Sequence, residues 1–268
     1  MLPDFHLHTG LCGHATGDVL DYVVVARSRG LTHVGFADHI PMYWLPPGRR
    51  DPELAMSEEE LPGYVESVQK LKENYLDLTI RLGIEADYIP GFENQLRALL
   101  SRYPFDYVLG SVHYLGTWGF DNPDQVEEYG RRDIDELYRQ YFSLVQQAAL
   151  AGLFDVIAHP DLIKKFGYRA RMDLLEVYEE TARAFAEGGV CVEVNTAGLR
   201  VPAGEIYPAL DFLKLCRRYQ VPVTVGSDAH QPHLVAYGWD RVREWLLAAG
   251  YNAVVVFRER QKELINIL

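Results

Sequence analysis

Three of the nine histidines lie within nine residues of one another, in Phe5-His6-Leu7-His8-Thr9-Gly10-Leu11-Cys12-Gly13-His14. Side chains two apart on a strand share a face. His6 and His8 therefore project together, while His14 returns from a glycine-bearing loop. Two imidazoles on a strand and a third on a loop can close around a metal ion. The competing arrangement is a strand with two hydrogen-bonded structural histidines, and the rest of the chain must decide. Cys12, inside the same loop, is read as a small buried filler and not as a ligand.

The elements that would position these residues recur along the chain. Short apolar runs at 4–7, 32–37, 78–86, 105–112, 154–158, 190–194 and 221–225 alternate with amphipathic segments. One clear helical stripe carries Ile134, Leu137, Tyr138, Tyr141, Phe142, Val145 and Ala148. A last helix at 242–249 and a β-rich run at 253–257 follow. Two excursions, at 41–56 and 114–130, read as surface loops over an uninterrupted alternation. Alternating β and α implies parallel strands with right-handed crossovers. Polar residues then stand at or just past successive strand ends: His6 and His8, His39, Glu85, His113, His159, Asn195, and Asp228 with His230. Only a closed barrel brings seven strand ends onto one rim. The expected fold is therefore an α/β protein, a distorted seven-stranded (β/α)7 barrel of the TIM type, with residues 1–268 as one domain.

Seven histidines occupy those positions or the first loop, and Glu85 and Asp228 add two carboxylates. Imidazole and carboxylate together suit zinc, iron or manganese, and the lack of thiolate motifs argues against a structural zinc site. Nine ligands exceed the coordination of one ion, so two to three divalent transition-metal ions are expected, with Glu85 or a hydroxide bridging.

His6-x-His8 with His14, Asp38-His39, Glu85, Gly110-Ser111-Val112-His113, Ala158-His159-Pro160 and Gly226-Ser227-Asp228-Ala229-His230 resemble the motifs of the PHP (polymerase and histidinol phosphatase) superfamily. His113-Tyr114 followed by Trp118-Gly119-Phe120-Asp121, and Asn195-Thr196-x-Gly198-Leu199-Arg200, resemble its histidinol-phosphate phosphatase branch. The resemblance runs through nearly the whole chain in order. It implies a distorted seven-stranded barrel with a trinuclear metal site. Carried over by position, one ion takes His6, His8, Glu85 and Asp228, a second Glu85, His113 and His159, and a third His14, His39 and His230. Asp38 is not a ligand in that scheme; it is expected to orient an imidazole or, in the weaker alternative, to donate a proton.

The implied activity is hydrolysis of L-histidinol phosphate to L-histidinol and phosphate, in histidine biosynthesis. A coordinated water whose pKa falls to about 7 would supply hydroxide, so no serine or cysteine nucleophile is required. Arg200, just beyond the sixth strand, is the expected phosphate clamp because guanidinium pairs with phosphate bidentately. Asn195 and Lys165 join it as substrate-side candidates, with Lys164 and Arg169 behind them in a basic loop. Trp118, Phe120 and Asp121 are expected to form a wall for an imidazole ring and an ammonium group; the alternative is a loop packed on its own aromatics. His233, three residues past His230, is a candidate general acid, whereas His33 inside the second strand is read as structural.

Composition narrows the partners. The 48% hydrophobic content supports a sizeable core, and 38 acids against 26 bases give a net charge of −12. That balance argues against nucleic acid as the main partner. No apolar run reaches the roughly 20 residues of a membrane helix, and Met1 leads directly into a strand pattern without a secretory leader. Cys12, Cys191 and Cys216, without C-x-x-C spacing, suit free thiols in a reducing cytoplasm. A monomer or small homo-oligomer is expected. The rival readings are another PHP phosphoesterase, a nucleotide phosphatase or nuclease, and a non-catalytic barrel scaffold.

Overall fold

The structure, a computed structural model, describes residues 2–267. Strand β1 (Asp4–Leu7) leads through the histidine loop to helix α1 (Val19–Ser28). Asp18 caps that helix: its carboxylate accepts from the Leu20 and Asp21 amides, while the Asp21 side chain accepts from the Asp18 amide. Strand β2 (His33–Phe36) and the proline-rich loop follow. Ser57 and Glu60 form their expected reciprocal bonds, but in the turn that precedes helix α2 (Leu61–Asn74). Pro62 sits in the first turn of α2, where a missing amide proton costs nothing.

Next come β3 (Thr79–Asp87), α3 (Glu93–Leu100) and β4 (Tyr107–Ser111). The second excursion folds as a hairpin, β5 (Tyr114–Leu115) with β6 (Trp118–Gly119), ahead of α4 (Ile134–Leu150). The remaining units are β7 (Val156–Ile157), α5 (Leu175–Gly188), β8 (Cys191–Asn195), α6 (Leu210–Arg218), β9 (Val223–Gly226) and α7 (Trp239–Ala248).

Seven strands form one sheet in the order β1-β2-β3-β4-β7-β8-β9, with every pairing parallel. A parallel bridge between Leu7 and Ala229 joins the first strand to the end of the last. His8 N donates to Ala229 O at 3.0 Å and Ala229 N to His6 O at 3.2 Å, so closure happens at the C-terminal rim, where the histidines stand. The expected seven-stranded barrel is what forms.

The apolar contents of the barrel separate that rim from the opposite end. Phe5, Tyr107, Leu109, Val156 and Cys191 pack together inside. The Tyr107 hydroxyl donates to Phe5 O at 2.7 Å, and its ring occupies the space beside Gly83, where a Cβ would lie 2.2 Å from it. The C-terminal run is not the lone strand its sequence suggests. β10 (Ala253–Arg258) pairs antiparallel with β11 (Gln261–Asn266), and Phe257 stacks on Tyr107 at 5.3 Å. Glu259 and Arg260 make the turn with φ of 51° and 66°. No Asn-Gly or Asp-Gly pair announces that turn, which is why the second strand is hidden in the sequence.

Candidate metal centre and its cavity

Glu85, near the end of β3, is the hub of the rim. Its carboxylate is buried, with Oε2 at 3.2 Å from His6 Nε2, 3.3 Å from His8 Nε2 and 3.1 Å from His39 Nδ1. Oε1 lies 3.0 Å from His159 Nε2 and 3.7 Å from His113 Nε2, and also accepts from the Ser111 hydroxyl. Asp228 Oδ1 closes the other side, 3.4 Å from His8 Nε2 and 3.3 Å from His230 Nδ1. His230 Nε2 faces His14 Nε2 at 3.0 Å. All nine expected ligands are thus brought into one cluster. Cys12 is buried as expected, although its Sγ lies within 4.8 Å of ligand atoms of His14 and His230.

The donor set fits divalent ions. His6 Nε2, His8 Nε2 and His159 Nδ1 are buried without a hydrogen-bond partner, and two imidazole nitrogens face each other across 3.0 Å. Unsatisfied buried nitrogens are expensive unless something accepts their lone pairs. Several triads, including His8-His39-His230 and His6-His8-Glu85, hold their ligand atoms within 4.8 Å of one another. Burial drives His39 well below the usual imidazole range and His230 down to about 3, which keeps both in the neutral, metal-binding form. Burial opposes charge on Glu85 too, yet the surrounding imidazoles hold its carboxyl well below the usual range.

A ring of carboxylates orients the histidines, and two of them were not singled out from the sequence. Glu193 Oε1 lies 2.7 Å from His6 Nδ1, while Oε2 accepts from His159 N at 2.8 Å. Asp87 Oδ1 lies 2.9 Å from His113 Nδ1. Burial opposes protonation of His113, but the carboxylates of Asp87, Asp121 and Glu85 hold its pKa up to about 10. A signal existed for both: Glu85-x-Asp87 and Glu193-x-Asn195 each place an acid two residues from a position already singled out, on the same strand face. The Glu193 carboxylate needs Gly226, since a Cβ there would stand 2.2 Å from Oε1.

Asp38 stands behind the cluster. Its carboxylate accepts from Thr9 N at 2.5 Å and Thr9 Oγ1 at 2.6 Å, and lies 3.8 Å from His8 Nδ1. Burial pushes its carboxyl up to about 7 against those bonds. It does not line the cavity.

That cavity, about 630 Å³, opens above the cluster and is lined by His14, His39, Glu85, His113, His159, Asp228 and His230 on its floor. Arg200, Lys165 and Asp121 line its walls. Arg200 Nη2 donates to Ser227 O at 2.8 Å and Asp228 O at 2.9 Å. Lys165 Nζ donates to Asp121 O at 2.8 Å and lies 3.2 Å from Asp121 Oδ2.

Other substrate-side candidates stand elsewhere. Trp118 packs edge-on against Tyr129 at 4.9 Å, and the fully buried Phe120 against Tyr141 at 5.4 Å. Both rings face the core under the loop, Trp118 on the loop's own Tyr129 and Phe120 on α4; Trp44, Tyr114 and Tyr207 are the other aromatic side chains that line the cavity beside the histidines. Asn195 is wholly buried, donating to Glu193 Oε2 at 3.0 Å and Asp228 Oδ2 at 3.3 Å, which leaves it below the cavity as a brace. Lys164 is buried in ion pairs with Asp161 and Glu205, and Arg169 pairs with Glu205. His233 is exposed with its carbonyl bonded to Arg29; Leu234 is the wall residue of that loop.

The PHP domain family model matches residues 4–197, the greater part of the chain and most of this site. The chain belongs to the PHP family. Among its PHP relatives, a probable histidinol-phosphatase of Deinococcus radiodurans is 44% identical over 265 residues, covering 98% of both chains. A histidinol-phosphatase of Bacillus subtilis is 31% identical, covering 90% of this chain and 98% of its own. The crystal structure of the Lactococcus lactis histidinol phosphate phosphatase, complexed with zinc, L-histidinol and phosphate, superposes with a TM-score of 0.84. It covers 98% of each chain at 21% identity, a likeness of fold.

Proposed function

We propose that this PHP chain hydrolyses L-histidinol phosphate to L-histidinol and phosphate. The observation that carries the reading is the full-length, 44% identical histidinol-phosphatase relative of a chain whose nine imidazole and carboxylate groups converge under one cavity. In this reading His6, His8, Glu85 and Asp228 hold one ion, Glu85, His113 and His159 a second, and His14, His39 and His230 a third. Divalent ions held by these residues would supply Lewis acidity, both to a water and to phosphoryl oxygens.

The chain's own groups do the rest. Arg200 presents a buried Nη1 without a protein partner beside the cluster, suited to a phosphoryl oxygen. Asp121, held by Lys165, offers a carboxylate to the substrate ammonium, and Trp44 with Tyr114 offers ring faces to the imidazole. Glu193 and Asp87 fix imidazoles directly, while Asp38 stands behind His8, its carboxylate bonded to Thr9. His233 has no part in this scheme, because its side chain points into solvent away from the cavity lining. The enzyme would serve histidine biosynthesis in the cytoplasm, as a monomer or small homo-oligomer. No helix among the described residues is long and apolar enough to cross a membrane.

Turnover of histidinol phosphate beside a panel of nucleoside monophosphates and short oligonucleotides tests the reading. A clear preference for histidinol phosphate is expected. Preferred hydrolysis of nucleotides would instead favour the broader phosphoesterase activity. Fewer than one transition metal per purified chain would overturn the mechanism.

A further inference from the structure

Among the described residues lining the cavity, three buried polar atoms lack a hydrogen-bond partner in the protein: His159 Nδ1, Arg200 Nη1 and Tyr207 Oη. His159 belongs to the imidazole cluster. The other two are N–H and O–H donors among the cavity's lining residues. Buried donors are rarely left unpaired because the loss of solvation is not repaid.

Tyr207 is rigidly placed. Asn195 N donates to Tyr207 O at 2.7 Å, and Tyr207 N donates to Asn195 O at 2.9 Å, which fastens this segment to the end of β8. Its ring seats against Gly198, where a Cβ would come within 3.0 Å, and Lys164 Nζ stands 5.3 Å from the ring centroid. Arg200 is equally fixed by its two Nη2 bonds to the Ser227 and Asp228 carbonyls, and by Tyr237, 5.2 Å from its guanidinium carbon. Neither group is free to swing toward another partner.

The ligand that satisfies both must bring acceptors. An ammonium has none. The oxygens of a phosphoryl group supply several, and the site described above is already read as one for a phosphate monoester. We propose that Tyr207 is a phosphoryl-positioning residue, its hydroxyl donating to one oxygen of the same phosphate that Arg200 Nη1 holds. Burial, reinforced by nearby carboxylates including Asp161 and Asp228, raises the phenol's pKa, so the group serves as a hydrogen-bond donor and does not ionise. This inference rests on the phosphatase reading.

Tyr207→Phe removes the hydroxyl and keeps the ring. Inorganic phosphate is the probe, as a competitive inhibitor of whichever phosphomonoester the metal-loaded protein hydrolyses, and by calorimetry on the same protein. The expected result is phosphate binding weakened about 10- to 100-fold. The KM for the ester should rise, with metal content and Tm at wild-type values or Tm slightly higher. Unchanged phosphate affinity in Tyr207→Phe, with unchanged KM, overturns the proposal. Loss of metal together with phosphate affinity also overturns it, since Tyr207 would then brace the cluster. If wild type prefers a nucleotide over histidinol phosphate, the substrate assignment falls, while the phosphate comparison still decides the role of Tyr207.

Discussion

Glu193 reaches two histidines at once: one carboxylate oxygen lies 2.7 Å from His6 Nδ1 and the other accepts the His159 amide at 2.8 Å. His159 holds a φ of 27°, a conformation that a non-glycine residue adopts only under constraint. One buried side chain thus sets a ring orientation on β1 and a backbone kink after β7.

Glu193→Gln should weaken metal binding about 10- to 100-fold, the usual effect of losing a carboxylate behind a ligating imidazole. The fold should survive, because the amide keeps the shape. Chelator competition and metal content report the change, and circular dichroism checks the fold. Gly226→Ala should damage the same contact from the other side. Its methyl would press on Glu193, at a cost of about 1–3 kcal/mol in a packed interior, read as a lower Tm with less bound metal.

Removing the metals should abolish turnover, and zinc or manganese should restore it. Metal binding should strengthen as pH rises, because His113, held up to about 10 by Asp87, is protonated at neutral pH in the metal-free protein and must lose that proton to ligate. The metal-free protein should show the opposite trend. A histidine with a raised folded-state pKa adds stability that is complete below its unfolded value of 6.5 and is lost as pH rises toward 10. Thermal melts of chelated protein across that range, beside Asp87→Asn, measure it; the variant should show a flatter profile.

His159→Ala should lose turnover by several orders of magnitude while remaining folded, since the ring contacts Glu85 and the change leaves the barrel pairs intact. Arg200→Ala should act mainly through substrate affinity, raising KM about tenfold or more for the loss of a charged hydrogen bond. Steady-state kinetics with melting curves distinguish the two.

Phe120→Ala should cost about 3–5 kcal/mol of stability, as for a fully buried aromatic. Trp44→Ala should leave stability nearly unchanged and raise KM, because that ring lines the cavity. The reverse pattern, a stable Phe120→Ala with impaired KM, would return the 118–121 segment to the substrate wall.

The alternation of apolar runs and helical stripes determined the barrel, and the recurrence of His, Glu and Asp at strand ends determined the metal-type cluster. Both are local properties: strand period and chain direction decide which end of a parallel strand a residue occupies, and a closed barrel gathers those ends. The chain's tertiary packing alone decided the rest. Trp118 and Phe120 turn inward onto Tyr129 of the same excursion and Tyr141 of α4. Glu193 is set against His6 from the opposite side of the barrel closure, 187 residues away in sequence. Tyr207 gained its place from a two-bond bridge to Asn195. The turn of the final hairpin carries no distinctive residue pair, so β11 became visible only once β10 had found its partner. Such contacts depend on distant segments meeting, and no spacing within a short stretch of sequence encodes them.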